Sequence, residues 1–306
     1  MRPTRVLFLC GCKLFKIAGI RFSVFVFLLI LLQAVLAPSC QAAYPMRVKD
    51  ARGKTIVIKA KPVRIVSLAP SNTEILFALG LGSRVVGVTK YCDYPAAAKK
   101  KPKIGDMAVS VESVAALKPD LVLAHAFVND TAIPRLEKLG LTVFAVDPKS
   151  IDQVIRDIRT IGKITARPRT ADSLAKKMEA VVASVKAARA KKPFRKVLVV
   201  VQANPLWVAG PKTFVDEMIS IVHAKNVAYD ARPGFVTFSR ELAISRNPDV
   251  IITGVFRDIA YFTKSPEWRT INAVKNNRVR VIDSDLIVRA GPRLAEGLKQ
   301  LAKMLD

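Results

Sequence analysis

The residues of this sequence able to do chemistry are few, and the most conspicuous are two carboxylates whose surroundings recur. SVESVAALKPDLVLA (residues 110–124) and SRELAISRNPDVII (239–252) each place a Ser two residues before a Glu, and that Glu seven before a Pro-Asp pair opening an apolar run. Ser110, Glu112, Pro119 and Asp120 therefore match Ser239, Glu241, Pro248 and Asp249 at an offset of 129. In each copy the Ser is placed to cap a short helix and the Glu lies in its first turn, near the positive end of the dipole. The Pro stops the helix, and a buried strand follows. A unit repeated at that distance implies two similar lobes. Acid–base catalysis has no clustered set of groups to use. Two histidines in the chain, His125 and His223, exclude a three-histidine metal cage.

The bulk composition sets the class. The chain has 306 residues, 51% of them hydrophobic, enough for two well-filled lobes of ordinary domain size. Its 50 Lys and Arg against 24 Asp and Glu give +26, a balance that invites a nucleic-acid reading. The cations are scattered, however, and the densest groups, Lys99–Lys101 with Lys103 and Lys191–Lys192 with Arg195–Lys196, carry no interleaved aromatics. They read as solvated surface rather than a nucleic-acid footprint. Arg2, Arg5, Lys13, Lys16 and Arg21 precede a 16-residue apolar run from Phe22 to Ala37, with no acidic residue before Asp50. This is the pattern of a secretory signal over residues 1–42, implying export. Cleavage after Ala42 would leave 45 basic residues against 24 acidic, or +21. Cys40 could instead become a lipidated first residue. Beyond the leader only Cys92 remains, so no disulfide framework is expected.

The elements that must position these groups follow in order. MRVKDARGKTIVI (46–58) reads as a hairpin turning at Gly53. RIVSLAPSNTEILFALG begins with a strand at Ile65–Leu68 and continues through Ser71-Asn72-Thr73-Glu74, a capping box that makes Glu74 a helix cap. Strands VVGVT, LVLA and TVFAV then alternate with helices, implying a parallel α/β lobe over 44–150. From Ile151 to about Ala190 some forty residues keep helical periodicity with a bend near Pro168, a stiff spine between lobes. A second α/β lobe over 191–306 contains KVLVVV, the loop QANPLWVAG, a helix TFVDEMISIVHAKNV, the loop YDARPGFVTF, the second repeated unit, the strands DVIIT and RVRVID, and a terminal helix. The expected fold is two α/β lobes with parallel sheets joined by a long helix, with a ligand cleft between them.

RIVSLAPSNTEILFALG, VGVTKYCDYP, ESVAALKPDLVL, FSRE and SDLIVRAGPRL, in that order, resemble the periplasmic substrate-binding proteins of ABC importers, in the helical-backbone class that carries cobalamin, iron-siderophores and haem. The likeness runs from about residue 62 onward and is nearest to the cobalamin binders. It implies a monomer that performs no covalent chemistry, holds no cofactor of its own, and delivers cobalamin or another corrinoid to an ABC permease. By the same resemblance Glu112 and Glu241 dock onto arginines of the permease, an arrangement suited to steering association through charge-assisted hydrogen bonds. Tyr91 falls where the family presents an aromatic to the corrin ring, and Trp207 and Phe235 occupy aromatic positions on the facing lobe, where planar ligands need such faces. Asp285 and Arg289 match an Asp and an Arg that meet amide groups of the ligand; a local i,i+4 ion pair is the alternative. His125, ending LVLAH, matches a cleft aromatic and could also face a metal centre. The loop before Glu112 reads IGDMAVS, where cobalamin binders carry a Trp, which keeps haem and ferric siderophores open as ligands. The competing class is a chelatase-like α/β enzyme, against which stand the export signal and the missing acid–base set.

Overall fold

In a computed structural model, which describes residues 44–106 and 108–306, a parallel sheet and a mixed sheet with a parallel core are built on the two copies of the Pro-Asp unit. The leader, including Cys40, lies outside the described residues. The hairpin of β1 (Met46–Lys49) and β2 (Thr55–Ile58) turns at Gly53, whose φ of +77° suits glycine. Buried Asp50 fixes the turn by accepting from the amides of Arg52 and Lys54. In the N-terminal lobe β3 (Ile65–Ser67), β4 (Val85–Val88), β5 (Leu121–His125) and β6 (Val143–Val146) form a sheet in the order β4-β3-β5-β6, parallel throughout. Its helices are α1 (Pro70–Ala78), α2 (Ala96–Lys99), α3 (Val111–Ala116) and α4 (Ala132–Lys138). The first four residues of β5 are fully buried, as expected of a parallel strand covered on both faces.

The spine is two helices rather than one. Helix α5 (Ile151–Ile164) stops where Ala166 adopts a left-handed φ of +57°, and α6 (Pro168–Arg189) starts with Pro at its first turn and packs back against α5. Arg159 ties the pair, reaching Asp172 at 3.3 Å and Glu179 at 2.7 Å. A methyl group at Gly162 would overlap that of Ala171, so the helices meet where only glycine lets them. Continuous periodicity concealed the reversal because both helices bury one stripe of aliphatic residues.

The C-terminal lobe contains β7 (Arg195–Gln202), β8 (Trp207–Ala209), α7 (Phe214–Ile221), β9 (Ala224–Asn226), β10 (Phe235–Thr237), α8 (Arg240–Ser245), β11 (Val250–Thr253), α9 (Asp258–Lys264), α10 (Asn272–Lys275), β12 (Val279–Val281), α11 (Asp285–Val288) and α12 (Leu294–Met304). Strands β9-β7-β11-β12 repeat the parallel order of the first lobe. Two antiparallel strands, β8 and β10, extend the sheet beside the C-terminal half of β7. QANPLWVAG and YDARPGFVTF, expected as loops, are thus partly strands. The expected helix TFVDEMISIVHAKNV ends at Ile221, because His223 turns left-handed (φ +56°) and Ala224–Asn226 join the sheet. Three-residue strands are too short to show an alternation in sequence.

The repeated unit is a structural device in both lobes. Ser110 Oγ accepts from the Ser113 amide and Ser239 Oγ from the Leu242 amide. After each helix Lys118 (φ +45°) and Asn247 (φ +50°) take the left-handed conformation that ends it, before Pro119 and Pro248. Asp120 then accepts from the amides of Val63 and Arg64, and Asp249 from that of Lys196, so each carboxylate clasps the start of the neighbouring strand.

Candidate functional site

A cavity of about 900 Å³ lies at the C-terminal ends of the strands. Its lining segments follow β3 (Leu68, Ala69), β4 (Tyr91), β5 (His125, Phe127) and β6 (Asp147, Lys149) in one lobe, and come from β8 (Trp207), β10 (Phe235) and the end of α11 (Val288, Arg289) in the other. This is where parallel sheets place ligands, because the loops there are free of the hydrogen-bond ladder. Tyr91, His125, Trp207, Phe235 and Arg289 therefore share one space. Asp285 does not line it; its carboxylate is turned onto Arg289 at 2.8 Å. Trp207 and Phe235 reach the cavity from strands, not loops: Thr237 pairs with Trp207 and Phe235 with Ala209 across β8 and β10. Sequence reasoning missed Phe127, Lys149, Lys212 and Phe214. The last packs edge to face on Phe235 at 6.4 Å between centroids, so it buttresses that wall.

The charges of this cavity are mostly neutralised before any ligand arrives. Asp106 meets Lys90 at 2.8 Å, and Asp147 meets Lys149 at 2.6 Å. Arg289 is bound by Asp93 (2.6 Å), Asp285 (2.8 Å) and Glu74 (3.2 Å). The Arg289 guanidinium holds the Asp93 carboxyl below the usual range, while burial pushes that of Asp285 up. His125 Nε2 lies 3.7 Å from Asp147, and its Nδ1 is buried without a partner. Burial lowers the His125 pKa, so the ring is neutral at neutral pH and offers a lone pair or one N–H. Among the described residues no cluster of three metal-ligating side chains occurs.

Glu74 is not the helix cap that its sequence pattern suggests. Helix α1 begins two residues earlier than expected, at Pro70 rather than after Ser71, and its N-cap residue Ala69 makes no side-chain cap. Glu74 is 3% exposed and accepts from Arg293 through both oxygens, at 2.7 and 2.9 Å, as well as from Arg289. Arg293 also stacks 4.1 Å from the centroid of Tyr94. The segment 285–293, which follows the last strand of the C-terminal lobe, is thus fastened to α1 and to the 91–94 loop of the other lobe. Beside that loop Cys92 is buried, with Thr73 and Thr89 hydroxyls at 3.1 and 3.2 Å from its sulfur.

Glu112 and Glu241 are both solvent-exposed. Each bonds the Ser two residues earlier, Ser110 to Glu112 at 3.3 Å and Ser239 to Glu241 at 2.8 Å. Their carboxyl pKa values are lowered first by their own backbone amides at the helix start and then by those hydroxyls. Both lie on the cavity side of their sheets. Ser110 donates its amide to Ile104, which donates to Val88 at the end of β4. Ser239 follows β10, which pairs through Trp207 with Gln202 at the end of β7.

Residues 65–286 match the family model described as periplasmic binding protein. The chain belongs to that family. It is 42% identical over 270 residues, 86% of each chain, to the uncharacterised ABC transporter substrate-binding lipoprotein YvrC of Bacillus subtilis (strain 168). It is 30% identical to a vitamin B12-binding protein of Yersinia pestis (strain Pestoides F), over 79% of this chain and 86% of that one. Among solved structures it resembles the B12-binding protein BtuF of Vibrio cholerae (TM-score 0.73, 25% identity, covering 80% of this chain and 97% of that one). It is similar to the haem-binding protein BhuT with two haems bound (TM-score 0.73, 26% identity, covering 79% and 97%). This periplasmic binding protein is therefore an ABC-type substrate-binding protein with B12 and haem binders among its relatives, and its partners are ABC permease components. No helix among its described residues is long and apolar enough to cross a membrane.

Proposed function

We propose that this binding protein captures cobalamin or a related corrinoid between its lobes and delivers it to an ABC permease without chemical change. The observation that carries this reading is the cavity itself: a space walled by Tyr91, Phe127, Trp207 and Phe235 whose carboxylates and Arg289 are already paired. A corrinoid is a large, nearly planar macrocycle whose edge bears neutral amides. Aromatic faces supply apolar area at little conformational cost, and prepaired ions offer hydrogen bonds to amides without leaving a naked charge in the cleft. Glu112 and Glu241, projecting from equivalent helix starts on the two lobes, serve as the docking carboxylates for basic groups of the permease. The basic, apolar leader supports export, and Cys40 is the residue through which the chain would be tethered to a membrane.

Haem is the second reading, favoured by Lys212. It lines the cavity, and among the described residues no carboxylate lies within ion-pair distance of it, so it is suited to a ligand propionate. A spectral titration with cobalamin, cobinamide, haemin and a ferric siderophore separates the possibilities. Stoichiometric binding of cobalamin and cobinamide alike, without product, supports corrinoid capture through the ring. Binding of haemin alone transfers the assignment to the second reading, and binding of none removes it.

A further inference from the structure

The internal repeat extends past the two Pro-Asp units, to a residue of the cavity wall, Phe127, and to a counterpart outside it. At the same offset of 129, Phe127 corresponds to Phe256 and Asn129 to Asp258. Each phenylalanine stands just beyond the C-terminal end of its lobe's central strand, β5 or β11. They are the two most exposed of the large apolar side chains described, at 76% and 79%. Each turn is held from below by a buried polar side chain. Asn129 accepts from the His125 amide at 2.8 Å. Asp258 accepts from the Thr253 hydroxyl at 2.6 Å, which itself accepts from the Val255 amide at 3.1 Å. Both rings are therefore held out in water by anchored turns, a state about 1.5–3 kcal/mol less favourable than burial for a side chain of this size.

The surroundings say what would cover them. Phe127 already lines the cavity. Strand β11 lies between β7, whose end pairs with the strand bearing Trp207, and β12, whose continuation leads to Val288 and Arg289. The turn carrying Phe256 is thus flanked on both sides by segments that line the cavity, on the lobe opposite Phe127. We infer that Phe127 and Phe256 are a matched pair of rim residues that close onto the outward edge of a bound macrocycle, one from each lobe. They would contact the apolar part of a planar ligand too large for the cavity to enclose. The inference rests on the reading of the cavity as a macrocycle site.

The test compares full-length wild type with Phe127→Ala, Phe256→Ala and the double variant, each titrated with cyanocobalamin and with haemin. Circular dichroism is expected to show the fold unchanged, since neither ring is packed in a core. Each single change is expected to weaken whichever ligand the wild type binds by about five- to tenfold, mainly through faster dissociation, with the double variant weaker than either. Phe256→Trp should restore tight binding. Unaltered affinity in Phe256→Ala overturns the pairing, as does unaltered affinity combined with impaired uptake, which would assign the ring to the permease. If the wild type binds neither ligand, the reading of the cavity falls and this inference with it; wild-type binding with indifferent variants removes the inference alone.

Discussion

The two lobes share a frame and differ in what they hang on it. Both have four parallel strands in the same order, a Ser-capped helix with an exposed Glu, a left-handed residue before Pro, and an Asp that clasps the next strand. Their core clusters differ: the N-terminal one around β3 and β5 is aliphatic, with buried Phe144 outside it, whereas the C-terminal one includes Phe262 and Trp268, packed edge to face at 4.8 Å. The ligand-facing parts differ more. The C-terminal lobe alone adds β8 and β10, which present Trp207 and Phe235, while the other lobe presents Tyr91 and His125 from loops and strand ends. His125 corresponds in the repeat to Gly254. The carboxylates that keep the repeat, Glu112 and Glu241, are both solvent-exposed. Most groups lining the cavity break it, Phe127 excepted, so that a ligand there meets two unlike walls.

The largest effect is expected where the lobes are fastened together. Glu74→Ala leaves Arg289 and Arg293, with side chains 14% and 16% exposed, without their shared carboxylate. Removing one partner of such a buried network typically costs about 3–5 kcal/mol, to be read as a lower denaturant midpoint. A loss below about 1 kcal/mol would mean that Asp93 and Asp285 suffice to hold the segment.

Next comes the pH response of the spine. Burial pushes the half-buried Asp157 up to about 7, with Asp147 adding to the rise, against an ordinary value of 3.8. The native state thus holds a proton that the unfolded state releases. The stability this contributes is complete below about pH 4 and is lost as pH rises through 7. Asp157→Asn should match the wild type near pH 4 and exceed it by on the order of 2–4 kcal/mol at pH 8, checked by chemical denaturation across that range. Burial of His125 works the other way, lowering stability as pH falls below about 6.5, and cancels in this comparison.

The carboxylates proposed to dock, Glu112 and Glu241, test whether the lobes are equivalent toward the permease. Replacing Glu112 and Glu241 together with Ala should reduce transport in reconstituted vesicles by about tenfold or more while leaving ligand affinity intact, and each single change should fall between. Strong asymmetry between the singles would show that the repeat is structural on one side only. The smallest effects should come from the caps: Ser110→Ala and Ser239→Ala are each expected to cost about 1 kcal/mol, similar in the two lobes, by thermal denaturation.

What the sequence disclosed was local or repeated. The hairpin at Gly53, the strands LVLA and DVIIT, and the Ser-x-Glu and Pro-Asp units are each specified by residues within a dozen positions, and their spacing recurs. Glu74 misled because Ser-Asn-Thr-Glu carries a capping pattern, while its real partners lie 215 and 219 residues away. The helical pair read as a single spine because its reversal depends on Ala166 turning left-handed and on Gly162 meeting Ala171, neither of which alters the aliphatic period. Trp207 and Phe235 were found by type but misplaced onto loops, since strands of three residues beside Pro205 and Gly234 look like turns. Phe127 and Phe256 became visible as a pair only once the repeat could be laid over two sheets.

The claim at the centre is that two unlike walls hold one ligand. Amide hydrogen exchange of the wild type, with and without saturating cobalamin, reads both walls at once. Slower exchange is predicted in residues 89–95 of one lobe and in 203–212 and 233–238 of the other. Slowing confined to one lobe, or absent from both, would contradict it.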